Sequence, residues 1–178
     1  VAVTDGKTYT TDKAYIDINA PPVADAGGPY SGVIGYPVIL NADGSTDADG
    51  DELVYGWDFN NDGTWDTAYS TSPTIQHTWT ESYQGLVKVA VFDGKTTYTT
   101  DTAFVKINNP PIAEAGGPYS GIPGISIILD ASGSSDIDGD ELFYSWDFNN
   151  DGTWDTPYST SPKVTYTWTS AYQGLIKV

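Results

Sequence analysis

The chain has 178 residues, with 24 Asp and Glu against seven Lys and Arg, and a formal net charge of −17. A surface this acidic lacks the clustered basic residues that nucleic acid or anionic membranes require, so neither is an expected partner. The sequence is 39% hydrophobic and 13% aromatic, which is enough for packed cores. It has no run of about 18 apolar residues that would predict membrane insertion of this segment.

An internal repeat organises the chain. Residues 21–89 align without a gap with residues 110–178, which lie 89 positions later, and 48 of the 69 pairs are identical. Residues 1–20 match residues 89–109 with one residue missing in a turn. We therefore predict three parts. They are a leading segment at 1–20 (the last two strands of a preceding repeat), a complete repeat at 21–109, and a following repeat at 110–178 (its first five strands).

The leading segment predicts a linear assembly. An isolated pair of strands is barely stable in water, so residues 1–20 need a sheet to join. Two arrangements meet this need: a stretch of a long tandem array, or subunits whose leading strands complete a neighbour head to tail. Both make neighbouring copies or repeats, joined end to end, the expected partners. The alternative is an arbitrarily delimited fragment with frayed ends.

Strand patterns follow one another through the complete repeat. Apolar residues alternate with polar ones in four runs, at 38–42, 53–59, 87–91 and 103–107. Gly, Pro, Asn and Asp occupy the intervening turns, as in the FDGKT hairpin. About seven short strands in a repeat of this length predict an all-β fold of tandem, immunoglobulin-like antiparallel β-sandwiches. Trp57 and Trp146 then lie on the third strand, where we expect core tryptophans.

Three segments of the chain resemble the polycystic kidney disease (PKD) domain family: PPVADAGGPYSG, DGSTDADGDELVYGWDF and HTWTESYQGLVKVAVFDG. Together with the repeats, the resemblance covers essentially the whole chain. It implies PKD-type β-sandwiches in the extracellular or cell-surface region of a bacterial or archaeal surface-type protein. Surface-layer (S-layer) proteins, adhesins, secreted proteases and chitinases carry such modules as non-catalytic spacers or interaction domains. The family's usual WDFGDG is replaced here by the longer WDFNNDGTWD.

The sequence DFNNDGTWD occurs twice, and we call each copy a nonapeptide loop. Written as D-x-N-x-D-G-x-x-D, it offers oxygen ligands at alternate positions around a glycine turn, as Ca²⁺ requires. This pattern resembles the hairpin calcium loops of integrin-type propeller blades. A polar hairpin turn without metal is the alternative. The predicted ligands are Asp58, Asn60, Asp62, Thr64 and Asp66, and Asp147, Asn149, Asp151, Thr153 and Asp155.

A second acidic motif, DADGDE at 47–52, returns as DIDGDE at 136–141, and we call each copy an acidic turn. Its spacing is less specific, so a solvated turn competes with a metal site. The candidate ligands are Asp47, Asp49 and Asp51, and Asp136, Asp138 and Asp140. The connectors INAPP and INNPP are short and contain two prolines each, which restrict their φ angles. We therefore expect calcium near each connector to stiffen successive repeats into a rod.

Catalysis finds little support in the sequence. The one histidine, His77, is replaced by Tyr166 in the following repeat, and no nucleophile–base motif is present. We predict a non-enzymatic, structural or adhesive module of a calcium-stiffened rod or filament. The alternative is an accessory carbohydrate- or protein-binding module of a larger secreted enzyme, whose partner would be a cell-surface polysaccharide or protein. Its candidate sugar-stacking rings are Trp65, Tyr69, Trp79, Tyr83, Trp154, Tyr158, Trp168 and Tyr172.

Overall fold

The structure is a computed structural model that describes residues 1–95 and 97–178. Within those residues every regular element is a β-strand, and none of the chain described forms a long apolar helix of the kind that crosses a membrane. The strands are β1 (Ala2–Thr4), β2 (Tyr9–Thr11), β3 (Tyr30–Val33), β4 (Pro37–Asn41), β5 (Val54–Asp58), β6 (Thr74–Thr78), β7 (Tyr83–Phe92), β8 (Thr99–Asn108), β9 (Ile127–Asp130) and β10 (Lys163–Tyr166).

Two sheets make up the complete repeat. One has four strands in the order β3-β8-β7-β5, and the other pairs β4 with β6. β5 and β7 are antiparallel, with Trp57 opposite Val89. Alternate residues of β4, β7 and β8 are buried, as the period-two pattern predicts for strands with one face in a core. The predicted β-sandwich is confirmed.

The two tryptophans predicted to be in the core are buried. Trp57 and Trp146 are each 2% exposed, which confirms that prediction. In the following repeat, Trp146 packs in one apolar cluster with Leu129, Ala131 and Phe148. Burying large aromatic and aliphatic side chains is the main stabilising contribution to such a sandwich.

The leading segment forms a small hairpin. β1 pairs with β2 in antiparallel register, with Ala2 opposite Thr11 and Thr4 opposite Tyr9. Every residue from 1 to 18 is exposed. The segment therefore contributes no side chain to a core, although its sequence matches strands that are buried in the complete repeat.

The following repeat is less regular than the complete one. β9 and β10 pair antiparallel, with Asp130 opposite Lys163. Isolated bridges join Ile112 to Ser135, Tyr144 to Ser159, and Asp147 to Lys177. Five strands were predicted here, and the described residues form two regular strands and these bridges. Long ladders need a partner strand along their whole length, and residues 119–122, which match β3, lie in no ladder of the described chain.

The chain divides into two compact units. The first unit comprises residues 1–30, 38–77 and 84–105, and the second comprises 31–37, 78–83 and 106–178. Each acidic turn and the connector that precedes it fall within a single unit.

Candidate metal centres

The acidic turn at residues 47–52 folds around the side chain of Asp47. Asp47 Oδ1 accepts the backbone N–H groups of Asp49 at 2.9 Å and Asp51 at 3.1 Å. Ligand oxygens of these three carboxylates all lie within 4.8 Å of one another. Three like charges this close repel, and a bound cation would reduce that repulsion.

Hydrogen bonds attach the connector to this turn. The backbone N–H of Ala20 donates to Asp49 Oδ2 at 2.7 Å. The preceding side chain, Asn19 Nδ2, donates to Oδ2 of the buried Asp93 at 2.6 Å. Asn19 and Ala20, at the start of the complete repeat, are thus each hydrogen-bonded to a carboxylate.

Two oxygens near this connector have no donor. Asn19 Oδ1 and Asp47 Oδ2 are both buried and have no hydrogen-bond partner among the described residues. A buried polar atom without a partner costs about 1–3 kcal/mol. A cation bound at either oxygen would remove that cost for that oxygen.

One lysine places a positive charge beside this cluster of carboxylates. Lys95 Nζ lies 2.7 Å from both carboxylate oxygens of Asp51, and this hydrogen bond raises the pKa of Lys95. The Lys95 backbone N–H also donates to Asp93 Oδ1 at 2.8 Å. Lys95 forms an ion pair with Asp51 and also interacts electrostatically with Asp49. Among residues 1–95 and 97–178, Asp47 and Asp49 form no ion pair within 4.0 Å.

The following repeat reproduces this arrangement. Asp136 Oδ1 accepts the N–H groups of Asp138 at 2.8 Å and Asp140 at 3.3 Å, and the three carboxylates again lie within 4.8 Å. The backbone N–H of Asn109, in the connector, donates to Asp138 Oδ2 at 2.5 Å. Lys106 approaches Asp140 at 3.6 Å. The connector contact is therefore a repeated property of the fold.

The nonapeptide loops are organised around a buried carboxylate. Asp58 is 1% exposed; its Oδ1 accepts the N–H of Asp62 at 3.2 Å, and its Oδ2 accepts the N–H of Gly63 at 2.9 Å. Asp147 makes the same bonds in the other copy. Positive φ angles at Asn61 and Gly63 allow the tight turn that brings these N–H groups together.

The remaining predicted ligands of this loop are bonded to one another or to its backbone. Asn60 Nδ2 donates to Asp62 Oδ2 at 2.9 Å, and the Thr64 N–H donates to Asp62 Oδ1 at 2.8 Å. The Thr64 bond is the main cause of a lowered pKa of Asp62. Asp66 Oδ2 accepts the N–H of Phe59 at 2.6 Å, which closes the loop.

The two motifs therefore differ in how their carboxylates are arranged. Among the described residues, the groups of three acidic side chains within 4.8 Å are the two acidic turns, and the carboxylates of the nonapeptide loops form no such group. Sequence reasoning overlooked Asn19, Asp93 and Lys95. These residues belong to recognisable segments, the IN of each connector and the FDGK turn. Their contact could not be predicted from the sequence, because Asn19 and Asp93 lie 74 positions apart.

Most of the candidate sugar-stacking rings pack on other rings. Trp79 is 8% exposed and stacks on Tyr83 with ring centroids 6.0 Å apart; Trp168 stacks on Tyr172 at 5.9 Å. Trp154 lies under Lys177 Nζ at 4.9 Å. Tyr158 is 68% exposed.

His77 also has a packing role, which its replacement by tyrosine in the following repeat preserves. His77 stacks on Phe59 with centroids 3.9 Å apart, and Tyr166 stacks on Phe148 at the same distance. Burial lowers the pKa of His77.

Solved structures of several kinds are similar to this chain. The PKD1 domain of Vibrio anguillarum Epp is 27% identical over 52% of this chain and 100% of that one, with a TM-score of 0.41. A structure described as carbohydrate-binding modules from the β-sandwich superfamily is 23% identical over 64% of this chain, with a TM-score of 0.46. Sidekick-1 immunoglobulin domains 1–5 are 17% identical over 86% of this chain, with a TM-score of 0.48. The chain spans 49% of the carbohydrate-binding-module structure and 34% of the Sidekick-1 structure.

The family model described as PKD domain matches the chain twice in tandem, over residues 19–107 and 108–178. The two matches begin at equivalent connector residues, Asn19 and Asn108, and each includes one acidic turn and one nonapeptide loop. The chain belongs to the PKD domain family.

Proposed function

We propose that this chain is a non-catalytic structural or adhesive module of an extracellular, cell-surface rod or filament. In this proposal, Ca²⁺ bound near each connector stiffens the rod. PKD domains are generally non-catalytic and typically extracellular, which supports the first part. The second part depends on the acidic turns.

The contact between connector and acidic turn carries the proposal. In both copies a connector N–H donates to the middle carboxylate of the turn, at Asp49 and at Asp138. An ion on that carboxylate would tie the connector to the repeat that follows it. The donor-free oxygens of Asn19 and Asp47 provide further ligands in the first copy.

Ligand chemistry favours calcium over other metals. The candidate ligands are carboxylate and amide oxygens, and the chain has no cysteine and one histidine. Ca²⁺ takes six to eight oxygen ligands in flexible geometry, whereas Mg²⁺ usually retains several waters. The net charge of −17 raises the local concentration of any divalent cation.

The nonapeptide loops are proposed as additional calcium sites. Their ligand side chains lie close together, as the bonds among Asp58, Asn60 and Asp62 indicate. In this proposal Thr64 contributes its carbonyl and Asp66 its free carboxylate oxygen. Asp58 and Asp66 already bond backbone N–H groups, so a calcium ion there adds to a loop that is formed without it.

The test compares the 178-residue chain in calcium and in chelator. Small-angle scattering should give a longer, stiffer particle in Ca²⁺, and differential scanning calorimetry should give a higher melting temperature. Mg²⁺ at the same concentration serves as the control for general charge screening. Superimposable scattering profiles in calcium and in chelator would refute the stiffening role.

A second candidate function is carbohydrate binding as an accessory module, which the exposed ring of Tyr158 favours. A ring on the surface can stack on a sugar, and aromatic platforms of this kind need no charge. A polysaccharide pull-down with the chain and with Tyr158→Ala tests it. Retention of the chain but loss of the variant would support this function, and equal retention or none would contradict it.

A further inference from the structure

Four aromatic side chains of the complete repeat lie together, and we call them the ring cluster: Trp65, Tyr69, Phe92 and Tyr98. The rings of Trp65 and Tyr98 meet almost at right angles, with centroids 5.6 Å apart and an interplanar angle of 86°. Those of Tyr69 and Phe92 lie 6.4 Å apart at 56°. Burial and then the nearby Tyr98 raise the pKa of Tyr69, so the two pairs of rings are neighbours. The four rings therefore form one patch whose faces are not parallel.

The two tyrosines of the ring cluster are open to solvent on a supported surface. Tyr69 is 45% exposed and Tyr98 is 48% exposed, whereas Trp65 and Phe92 are half-buried. A Cβ built on Gly56 would lie 3.2 Å from Cε1 of Tyr69, so the Tyr69 ring rests on β5 at a position that has no side chain. The ring cluster is therefore held in place by the sheet and by its own ring contacts while part of it faces water.

The following repeat shows what this tryptophan position can contact. Trp154 is the counterpart of Trp65 at the 89-residue offset, and Lys177 Nζ lies over its ring, 4.9 Å from the centroid. The counterpart of Lys177 in the complete repeat is Lys88, which interacts electrostatically with the carboxylate of Asp62. A cation within about 6 Å of a ring centroid is attracted by the electron-rich face of the ring. The same tryptophan position thus contacts a cation in one repeat and another aromatic ring in the other.

The charge of the chain selects among the ligands that aromatic rings can bind. With a net charge of −17, the chain attracts cations and repels anions. An alkylated ammonium group combines a positive charge with methyl groups, so it gains both cation–π attraction and burial of apolar surface against the rings. A primary ammonium is more strongly hydrated and gains less from such a surface. Non-parallel Trp, Tyr and Phe rings on an acidic chain therefore suit an alkylated ammonium group.

We propose that the ring cluster binds a small solute that carries an alkylated ammonium group, such as the trimethylammonium of choline. The ammonium sits in the corner between Trp65 and Tyr98 and against Tyr69, and Phe92 supports Tyr69 from the side. A free solute fits better than the headgroup of a choline lipid, because the acidic chain repels the lipid phosphate. This binding goes beyond the proposed function and makes no use of calcium, so either proposal can fail alone.

The test titrates the 178-residue chain with choline, with sodium as the replaced cation so that the ionic strength stays constant. NMR signals of the Trp65 indole N–H and the Tyr98 amide should shift and saturate, with a dissociation constant on the order of millimolar. An uncharged isostere of choline, in which carbon replaces the quaternary nitrogen, has the same shape and should bind about two- to thirtyfold more weakly. Equal binding of choline and the isostere overturns the proposal, and so does a titration without saturable shifts.

Matched tyrosine variants separate the ring cluster from general attraction of cations to an acidic surface. Tyr98→Ala should weaken choline binding about two- to thirtyfold, which is the contribution of one ring, and Tyr98→Phe should retain binding because the ring is kept. Tyr36→Ala removes a 70% exposed tyrosine outside the cluster and should leave binding unchanged. Both tyrosines are exposed, so all three variants should fold, and thermal melting checks this. Equal effects of Tyr98→Ala and Tyr36→Ala overturn the proposal.

Two further probes decide the class and the source of the ligand. A neutral glucan oligosaccharide should leave the Trp65 and Tyr98 signals unshifted. If it shifts them while choline does not, the ammonium assignment is wrong and the carbohydrate-binding function gains support. Vesicles of phosphatidylcholine should not sediment the chain. Sedimentation that Tyr98→Ala abolishes would overturn the assignment to a free solute.

Discussion

Replacing Asp47 by asparagine should change stability in opposite directions with and without calcium. Asp47 Oδ1 accepts two backbone N–H groups, and an asparagine carbonyl can accept both. Asp47 Oδ2 has no partner among the described residues, so an amide nitrogen in its place breaks no hydrogen bond. The substitution removes one negative charge and keeps the turn.

The magnitude follows from the separation of the carboxylates. Two unit charges 4.8 Å apart repel by about 0.9 kcal/mol at the dielectric constant of water and by about 3.5 kcal/mol at an effective value of 20. Asp49 is exposed and salt screens it, so we expect Asp47→Asn to stabilise the chain by about 1 kcal/mol in chelator. Calcium at a hundred times its dissociation constant stabilises the original chain by about 2.7 kcal/mol, most of which the variant should lose.

Thermal unfolding measures both effects. For a chain of this size 1 kcal/mol shifts the melting temperature by about 2–4 °C. The variant should therefore melt about 2–4 °C above the original chain in chelator and below it in calcium. Asp136→Asn should behave in the same way, and Asp43→Asn, which lies outside the three-carboxylate cluster, is the matched control. Equal destabilisation by Asp47→Asn in both solutions would refute the reasoning.

Two further substitutions probe carboxylates whose partners belong to the protein itself. Asp58→Asn should destabilise the chain by about 2–4 kcal/mol in denaturant titrations, even in chelator. Both oxygens of the buried carboxylate accept a backbone N–H, whereas an amide has only one accepting oxygen. An effect seen only in calcium would contradict this. Asp130 should contribute to stability above about pH 4 and lose that contribution as the pH falls to about 2, because the Lys163 hydrogen bond lowers its folded pKa from 3.8 to about 2. Acid-unfolding curves of Asp130→Asn and the original chain should then differ above pH 4 and converge near pH 2, and curves that remain parallel would contradict the assignment.

Much of the fold could be predicted from periodicity and repetition. Alternating apolar residues identified the buried faces of β4, β7 and β8, and the position of Trp57 on its strand identified it as core. Because the repeats align at an offset of 89 residues, the same prediction applied to Trp146. These are local patterns, and burial follows from them directly because a strand exposes alternate side chains to opposite faces.

The candidate sites could be predicted only in part. Spacing identified both acidic motifs. It could not show that Asp58 bonds its own loop backbone, or that Asp47 Oδ2 has no partner within the part of the chain that the structure describes. The contribution of Asn19 and Asp93 depends on a contact between distant parts of the chain. Residues 119–122 match β3 in sequence but lie in no ladder among the described residues, because a ladder depends on a neighbouring strand as well as on the local pattern.

The most direct measurement is a crystal structure of the chain grown in calcium, with anomalous difference density used to locate the ion. The calcium proposal predicts a peak at each acidic turn, bound in the first copy by Asp47 Oδ2 and Asn19 Oδ1 at about 2.3–2.6 Å. Asp62→Asn crystals, treated identically, should keep these peaks and lose those of the altered nonapeptide loop. Density at the acidic turns that shows only water, with Lys95 still on Asp51, would contradict the central claim.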